Sequence, residues 1–269
     1  MTGSIDLDAY FDRIGWGGAT NPTFGTLAGL LHSHVSQIPF ENVDVLFGRR
    51  VRLDSDGLQD KLVRSRRGGY CFEHATLFSA VLENLGFRAA RHSARVILHT
   101  PASAAPRNHM FLTVALPQGL FVIDPGFGSM ASRSPIPLRE GALMRRGEET
   151  HWMIRDGSLW VLRTQLGDKP ANAWASTLEQ DNAADFEMAN HFSATHPASP
   201  FVNQLMINAY SGDGRVGVLN RDATIWRHNR SQKMQLGDRR ALRRLLHDQL
   251  GFDLPELENI RVPAIPEWR

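Results

Sequence analysis

The chain has 269 residues, 42% of them hydrophobic and 22% charged, with a formal net charge of +2 at neutral pH; this composition supports a packed core in two or three lobes and excludes wholesale disorder. No run approaches the roughly 18 apolar residues a membrane helix needs, and the first ten residues are acidic rather than basic and then apolar, so neither anchoring nor export is signalled. The single cysteine, Cys71, excludes an intrachain disulfide and a thiolate metal cluster and fits a reducing, cytoplasmic setting, while the weakly basic balance suits an anionic co-substrate but falls short of a nucleic-acid surface.

Up to about residue 86 the pattern is helical, punctuated by Gly15, Gly17, Gly18 and Pro22. Leu27, Leu30, Leu31 and Val35 recur at helical spacing from Phe24 to Val35, and Ile38, Pro39 and Phe40 stop the helix before Glu41. A second helix starts at or just after Cys71, because Ala75, Phe78, Val81, Leu82 and Leu85 form a 3.6-residue stripe that Gly86 ends. From Ala89 to about residue 166 the texture changes to short β-branched and aromatic runs: Ala94 to Leu98, Met110 to Leu116, Leu120 to Ile123, His151 to Ile154 and Leu159 to Arg163. These predict an antiparallel sheet or barrel. After Asp185 a loop rich in His, Ser and Pro, residues 191 to 200, leads to strand candidates Phe201 to Ala209, Arg215 to Leu219 and Ala223 to Arg227. An amphipathic helix from Asp238 to Leu250 closes the chain, burying Leu242, Leu245, Leu246 and Leu250 and leaving most of its arginines to solvent.

Chemistry concentrates in the segment from Arg66 to His74, where Gly68 and Gly69 allow an unusual backbone just before a thiol that opens a helix. Unpaired N–H groups and the partial positive charge at a helix N-terminus favour thiolate over thiol. Acyl chemistry on such a thiolate needs an imidazole and a group to orient it. His109 opens one strand, Pro117 to Gly119 make a turn, and Asp124 ends the returning strand. With an even loop both side chains share a face, offset by about 7 Å along the strand, a gap that side-chain reach closes. His74, three residues after Cys71, is the next choice of base. His32 and His34, two apart on one helix, make a poor metal pair, and no metal is expected. The turn from Asp124 through Gly126 to Gly128 offers bare backbone to a ligand.

In order and spacing, Ile38-Pro39-Phe40-Glu41-Asn42, Arg67-Gly68-Gly69-Tyr70-Cys71-Phe72-Glu73, Asn108-His109 and Asp124-Pro125-Gly126-Phe127-Gly128 resemble the arylamine N-acetyltransferases, and Ser199-Pro200-Phe201 extends the match. The resemblance implies an α+β fold with a cysteine-protease or transglutaminase-like core: an N-terminal helical bundle (1–87) carrying the nucleophile, a central antiparallel β-barrel (88–190) carrying His and Asp, and a C-terminal α/β lid (191–269). It implies a ping-pong reaction in which Cys71 takes an acetyl group from acetyl-CoA and an arylamine or arylhydrazine removes it, with His109 and Asp124 completing the triad. It further implies that Phe40, Phe127 and Phe201 line the amine pocket, that Val96, Asn108, Gly126 and Gly128 lie along the pantetheine arm, and that Glu41 and Arg67 form a buried supporting pair. The same three catalytic side chains would also serve a thiol hydrolase or an amide synthase closing macrolactams, and a silent binding protein could keep the same fold. No nucleic-acid or membrane partner is expected. Oligomeric state is not encoded in these motifs.

Overall fold

Capping and apolar spacing account for the helices at the start of the computed structural model, which describes residues 5–146, 149–165, 169–211, 214–228, 230–251 and 253–268. Asp6 caps α1 (Leu7–Ile14), and Gly15, in the left-handed region, ends it. Thr23 caps α2 (Phe24–Gln37), whose Leu27, Leu30, Leu31 and Val35 are all buried. The chain then passes through the short strand β1 (Phe40–Glu41), α3 (Val43–Leu46) and α4 (Ser55–Leu58), which widens into a π-helical turn, Gln59–Arg64. Helix α5 (Cys71–Asn84) follows, buried on nearly every side by Phe72, Ala75, Phe78, Val81 and Leu82.

Eight antiparallel strands come next: β2 (Arg88–Val96), β3 (Arg107–Leu116), β4 (Gly119–Ile123), β5 (Ile136–Pro137), β6 (Met144–Arg146), β7 (Glu149–Asp156), β8 (Leu159–Gln165) and β9 (Pro170–Ser176). They form one sheet in the order β5-β4-β3-β2-β9-β8-β7-β6, curled into a nearly closed barrel. Strand β3 is buried on both faces, and its alternation decides what meets what. Met110, Leu112 and Val114 join the helical core, whereas Phe111 joins the barrel interior with Val122, Met153, Leu162 and Trp174.

Beyond the barrel lie α6 (Ala183–Thr195), α7 (Pro200–Asn203), the strands β10 (Met206–Ser211), β11 (Gly214–Leu219), β12 (Asp222–Arg227) and β13 (Arg230–Gln235), and α8 (Arg239–Leu250). Strand β1 is the outer member of this second sheet, with Phe40 opposite Asn208, so the N-terminal motif is stitched to the C-terminal lobe. Among the described residues no helix is long and apolar enough to cross a membrane.

Two expectations are corrected. The polar stretch after Asp185 is helix through Thr195, because the Asn182 side chain accepts from Ala184 N while Asp185 accepts from Asn182 N. Phe201 lies in a helical turn rather than a strand: Ser199 Oγ accepts from Phe201 N at 3.3 Å and Pro200 takes the first helical position, so the strand starts only at Met206.

Candidate active site

Of the two glycines before Cys71, Gly68 faces another backbone and Gly69 faces the Glu73 side chain. Gly69 N donates to Pro39 O at 3.1 Å and Glu41 N donates to Gly69 O at 2.8 Å. A Cβ on Gly68 would sit 2.1 Å from Pro39 O, a distance no side chain tolerates. This pairing holds the loop so that Cys71 becomes the first residue of α5, 3% exposed, with no intrahelical acceptor for its own N–H.

Behind the loop the charges form a chain, not a single pair. Arg67 bonds Glu41 Oε1 at 2.8 Å and Asp44 Oδ1 at 2.7 Å; Lys61 Nζ reaches Asp44 Oδ2 at 2.9 Å and Glu73 Oε1 at 2.7 Å. Glu73 Oε2 accepts from Tyr70 N at 3.0 Å, which ties the network to the start of α5. Burial works against a charge on Lys61, yet Glu73, Glu41 and Asp44 outweigh it and raise its proton affinity. Burial likewise opposes the Asp44 carboxylate, but Lys61 and Arg67 prevail and hold it at about 2. On the other side Tyr70 donates its hydroxyl to the Asn190 side chain, itself held to Val51 O at 3.2 Å.

His109 and Asp124 meet as the hairpin requires. The two-residue loop between Leu116 and Gly119 gives an even register; one step past the Leu112–Ile123 pair, Asp124 falls opposite Phe111, two residues from His109 on the same face. Side-chain reach closes the gap: His109 Nε2 donates to Asp124 Oδ2 at 2.9 Å. A bulge helps aim the ring, because Ala94 pairs with His109 and Arg95 with Arg107, leaving Asn108 unpaired. The Asn108 carbonyl oxygen lies 4.0 Å from Cys71 Sγ. Cys71 lies close enough to raise the proton affinity of the His109 ring; with Nε2 committed to Asp124, Nδ1 is the nitrogen left to face sulfur. Burial alone would strip the ring of its proton, but Asp124, by charge and hydrogen bond, and then Cys71 push it up to about 10.

A stability consequence follows with a definite sign. Because the folded-state value of His109 lies above its unfolded value of about 6.5, its contribution is complete below that pH and is lost as pH rises toward about 10. The difference in thermal midpoint between the wild type and His109→Gln is therefore expected to shrink across that window. A difference that grew with pH would contradict the charged imidazole.

The rival base, His74, is committed elsewhere. Tyr10 O–H donates to His34 Nδ1 at 2.8 Å, His34 Nε2–H to His74 Nδ1 at 2.9 Å and His74 Nε2–H to Pro39 O at 3.1 Å, a chain of neutral rings with every nitrogen used. Burial drives His74 down to about 4 and His34 well below the ordinary value. The chain braces α2 against α5 and carries no spare proton acceptor.

The remaining expected residues surround this line. The Phe127 ring is 4.8 Å from the His109 ring, while Phe201 packs between Tyr70 at 5.2 Å and Phe40 at 6.2 Å. Gly128 has φ 57°, and a Cβ there would fall 3.6 Å from Phe40. Val96 ends β2 opposite Trp174, meeting the site through that residue. Gly126 is pressed on Cys71: its Cβ would lie 2.6 Å from Cys71 Cα. Gly126→Ala should therefore separate the turn from Cys71 and lower turnover by about 100-fold with the fold kept; wild-type rates in a folded variant would show that the contact is dispensable. A cavity of about 20 Å³ beside Phe40, Gly128 and Tyr210 has room for a single water.

Sequence reasoning missed Trp174, whose indole N–H donates to Asp124 Oδ2 at 2.8 Å, and also Lys61, Asp44 and Asn190. For Glu73 a signal existed, an acid three residues into the helix; for the others only the fold brings the partners together.

A family model described as N-acetyltransferase matches residues 23–259. The chain is 36% identical to the arylamine N-acetyltransferase of Mycobacterium tuberculosis (strain ATCC 25618 / H37Rv) over 94% of this chain and 92% of that protein. The solved structure of the Mycobacterium marinum arylamine N-acetyltransferase superposes with a TM-score of 0.89 at 34% identity, covering 94% of each chain. A second structure of that enzyme, in complex with CoA, gives 0.88 at the same identity and coverage. With family model, relatives and solved structures in agreement over nearly its whole length, the chain belongs to the arylamine N-acetyltransferase family, transferases that carry an acetyl group from acetyl-CoA to arylamines.

Proposed function

We propose that the chain performs this transfer by a ping-pong cycle through an acetyl group on Cys71, with His109 as base and Asp124 as its orienting partner. The observation that carries this reading is the line from Cys71 at the first position of α5 to His109 and on to Asp124, the last link 2.9 Å long. Cys71 Sγ attacks the thioester carbonyl of acetyl-CoA, and the bond to the coenzyme sulfur breaks as His109 returns a proton to that sulfur. Neutral His109 then takes the proton from the aryl nitrogen as it attacks the acetyl-cysteine, and collapse expels the Cys71 thiolate. The Cys71 N–H, free at the helix start, is placed to stabilise the oxyanion in both halves.

The amine is proposed to lie among Phe40, Phe127 and Phe201, and the pantetheine arm along Val96, Asn108, Gly126 and Gly128. Gly126 has its close approach to Cys71 as a further reason to lack a side chain. Arylhydrazines are the second acceptor class, and an unpaired reactive thiol suits the reducing cytoplasm. The lobes are proposed to divide at residues 87 and 190, with Glu41 and Arg67 supporting the loop between β1 and α5. Initial rates with acetyl-CoA and an arylamine varied together are expected to give parallel double-reciprocal lines. Intersecting lines, or acetate released faster than acetylated amine, would overturn the ping-pong transfer.

A further inference from the structure

The carboxylate at the buried end of the triad is held by one oxygen only. Asp124 Oδ2 accepts both from His109 Nε2 at 2.9 Å and from Trp174 Nε1 at 2.8 Å. Asp124 Oδ1 is buried and has no partner among the described residues. Trp174 is a rigid anchor. It is fully buried, its ring stacks on Phe111 at 4.2 Å and 26°, and its backbone is paired to Val96 on one side and Leu162 on the other. A register shift in β9, where Trp174 pairs with Leu162 but Asn172 with Arg163, leaves Ala173 as an extra residue next to the indole. That is the kind of irregularity that re-aims a side chain, as Asn108 does beside His109.

We propose that Trp174 is a positioning residue of acetyl transfer, its indole N–H selecting which oxygen of Asp124 faces His109 and fixing the carboxylate in that orientation. The proposal rests on the reading of Cys71, His109 and Asp124 as the triad. Among the described residues the carboxylate has His109 and Trp174 as its side-chain hydrogen-bond partners, and of the two only Trp174 lies outside the triad. Without the N–H the carboxylate can turn away from His109, so the imidazolium loses part of the charge that holds it and its ion pair with the Cys71 thiolate becomes harder to form. The titratable groups facing Asp124 are Cys71 through His109, His109 itself, and His151 on β7, whose Nε2 donates to Met130 O at 3.1 Å.

The test replaces Trp174 with 3-benzothienylalanine, which keeps the bicyclic ring but carries sulfur in place of N–H. 5-Fluorotryptophan, which keeps the N–H, serves as the conservative variant, and Trp174→Phe as the coded counterpart. Alkylation of Cys71 by iodoacetamide is followed by intact mass across the titration range, with wild type and His109→Gln measured alongside. The expected result is a midpoint for thiolate formation about one unit higher for the benzothienyl protein, with Cys71 acetylation slowed about tenfold at nearly unchanged KM for acetyl-CoA. 5-Fluorotryptophan should restore both. A benzothienyl protein that superimposes on wild type, or a rate loss shared by 5-fluorotryptophan, assigns Trp174 to packing alone and overturns the proposal. Alkylation needs no acetyl-CoA, so the two readings separate: if His109→Gln leaves the wild-type profile unmoved, the triad itself falls, and if it shifts the profile while the benzothienyl protein does not, only the role of Trp174 falls.

Discussion

Asp124→Asn is expected to leave the fold intact and to slow acetylation of Cys71 by roughly 10²- to 10⁴-fold. The geometry explains why the loss is electrostatic. Only Oδ2 is engaged, and both of its partners are donors, so the asparagine carbonyl oxygen fits that position and the amide NH₂ falls where Oδ1 has no partner. His109 therefore keeps its tautomer and its aim. What disappears is the charge that outweighs burial. Without it the imidazole, now pushed up to about 10, falls below the ordinary histidine range, because burial remains as the dominant influence. The Cys71 thiolate then has no imidazolium beside it to offset its charge. Stopped-flow alkylation and single-turnover acetylation against pH check this: both should be depressed at neutral pH and recover as pH rises. Equal rates for variant and wild type at neutral pH would remove Asp124 from the mechanism.

Lys61→Met has the largest expected effect on stability. Lys61 Nζ is the link between Asp44 and Glu73, at 2.9 and 2.7 Å, and the Glu73 side chain is 2% exposed. Removing the cation leaves the Glu73 carboxylate buried without its counter-charge, while Asp44 keeps Arg67, a loss of about 3–5 kcal/mol. For a chain of this size that corresponds to a fall in thermal midpoint of roughly 10 °C. The same substitution loosens the carboxylate that accepts the Tyr70 N–H, so activity should decline together with stability. Arg64→Ala provides the contrast. Its partner is Asp60, four residues away on the same turn, and both side chains are more than half exposed, so the midpoint should hold. Calorimetry on the three proteins decides it; equal midpoints for the Lys61 variant and wild type would show that the network is not what braces the loop.

The parts of this molecule that were legible in sequence are those whose reason is local. The stripe from Ala75 to Leu85 and the glycines before Cys71 mark the start of α5 without help from the rest of the chain. The hairpin from His109 to Asp124 follows from an even turn and the two-residue period of strands. Helix α6 was hidden because its apolar residues make no stripe: Phe186 is 3% exposed and Met188 74%. Strand β13, polar and exposed along the edge of its sheet, carries no buried face to read. Trp174 sits in an alanine-rich strand of weak propensity, and its importance comes from a bulge and from an acid 50 residues away. Asp44 and Lys61 look like ordinary surface charges until β1, α3 and the π-helical turn are folded together behind the loop. Local patterns therefore disclose Cys71 and His109, while the groups that hold them in place are products of tertiary structure.

The central claim is that the acetyl group passes through Cys71. Intact-protein mass spectrometry after brief incubation with acetyl-CoA, comparing wild type with Cys71→Ala and followed by addition of an aromatic amine, tests it most directly. The account predicts the gain of one acetyl group in the wild type, none in the variant, and its discharge when the amine is added. An adduct that persists in Cys71→Ala, or a wild-type protein that acetylates the amine without ever carrying the group on Cys71, would contradict it.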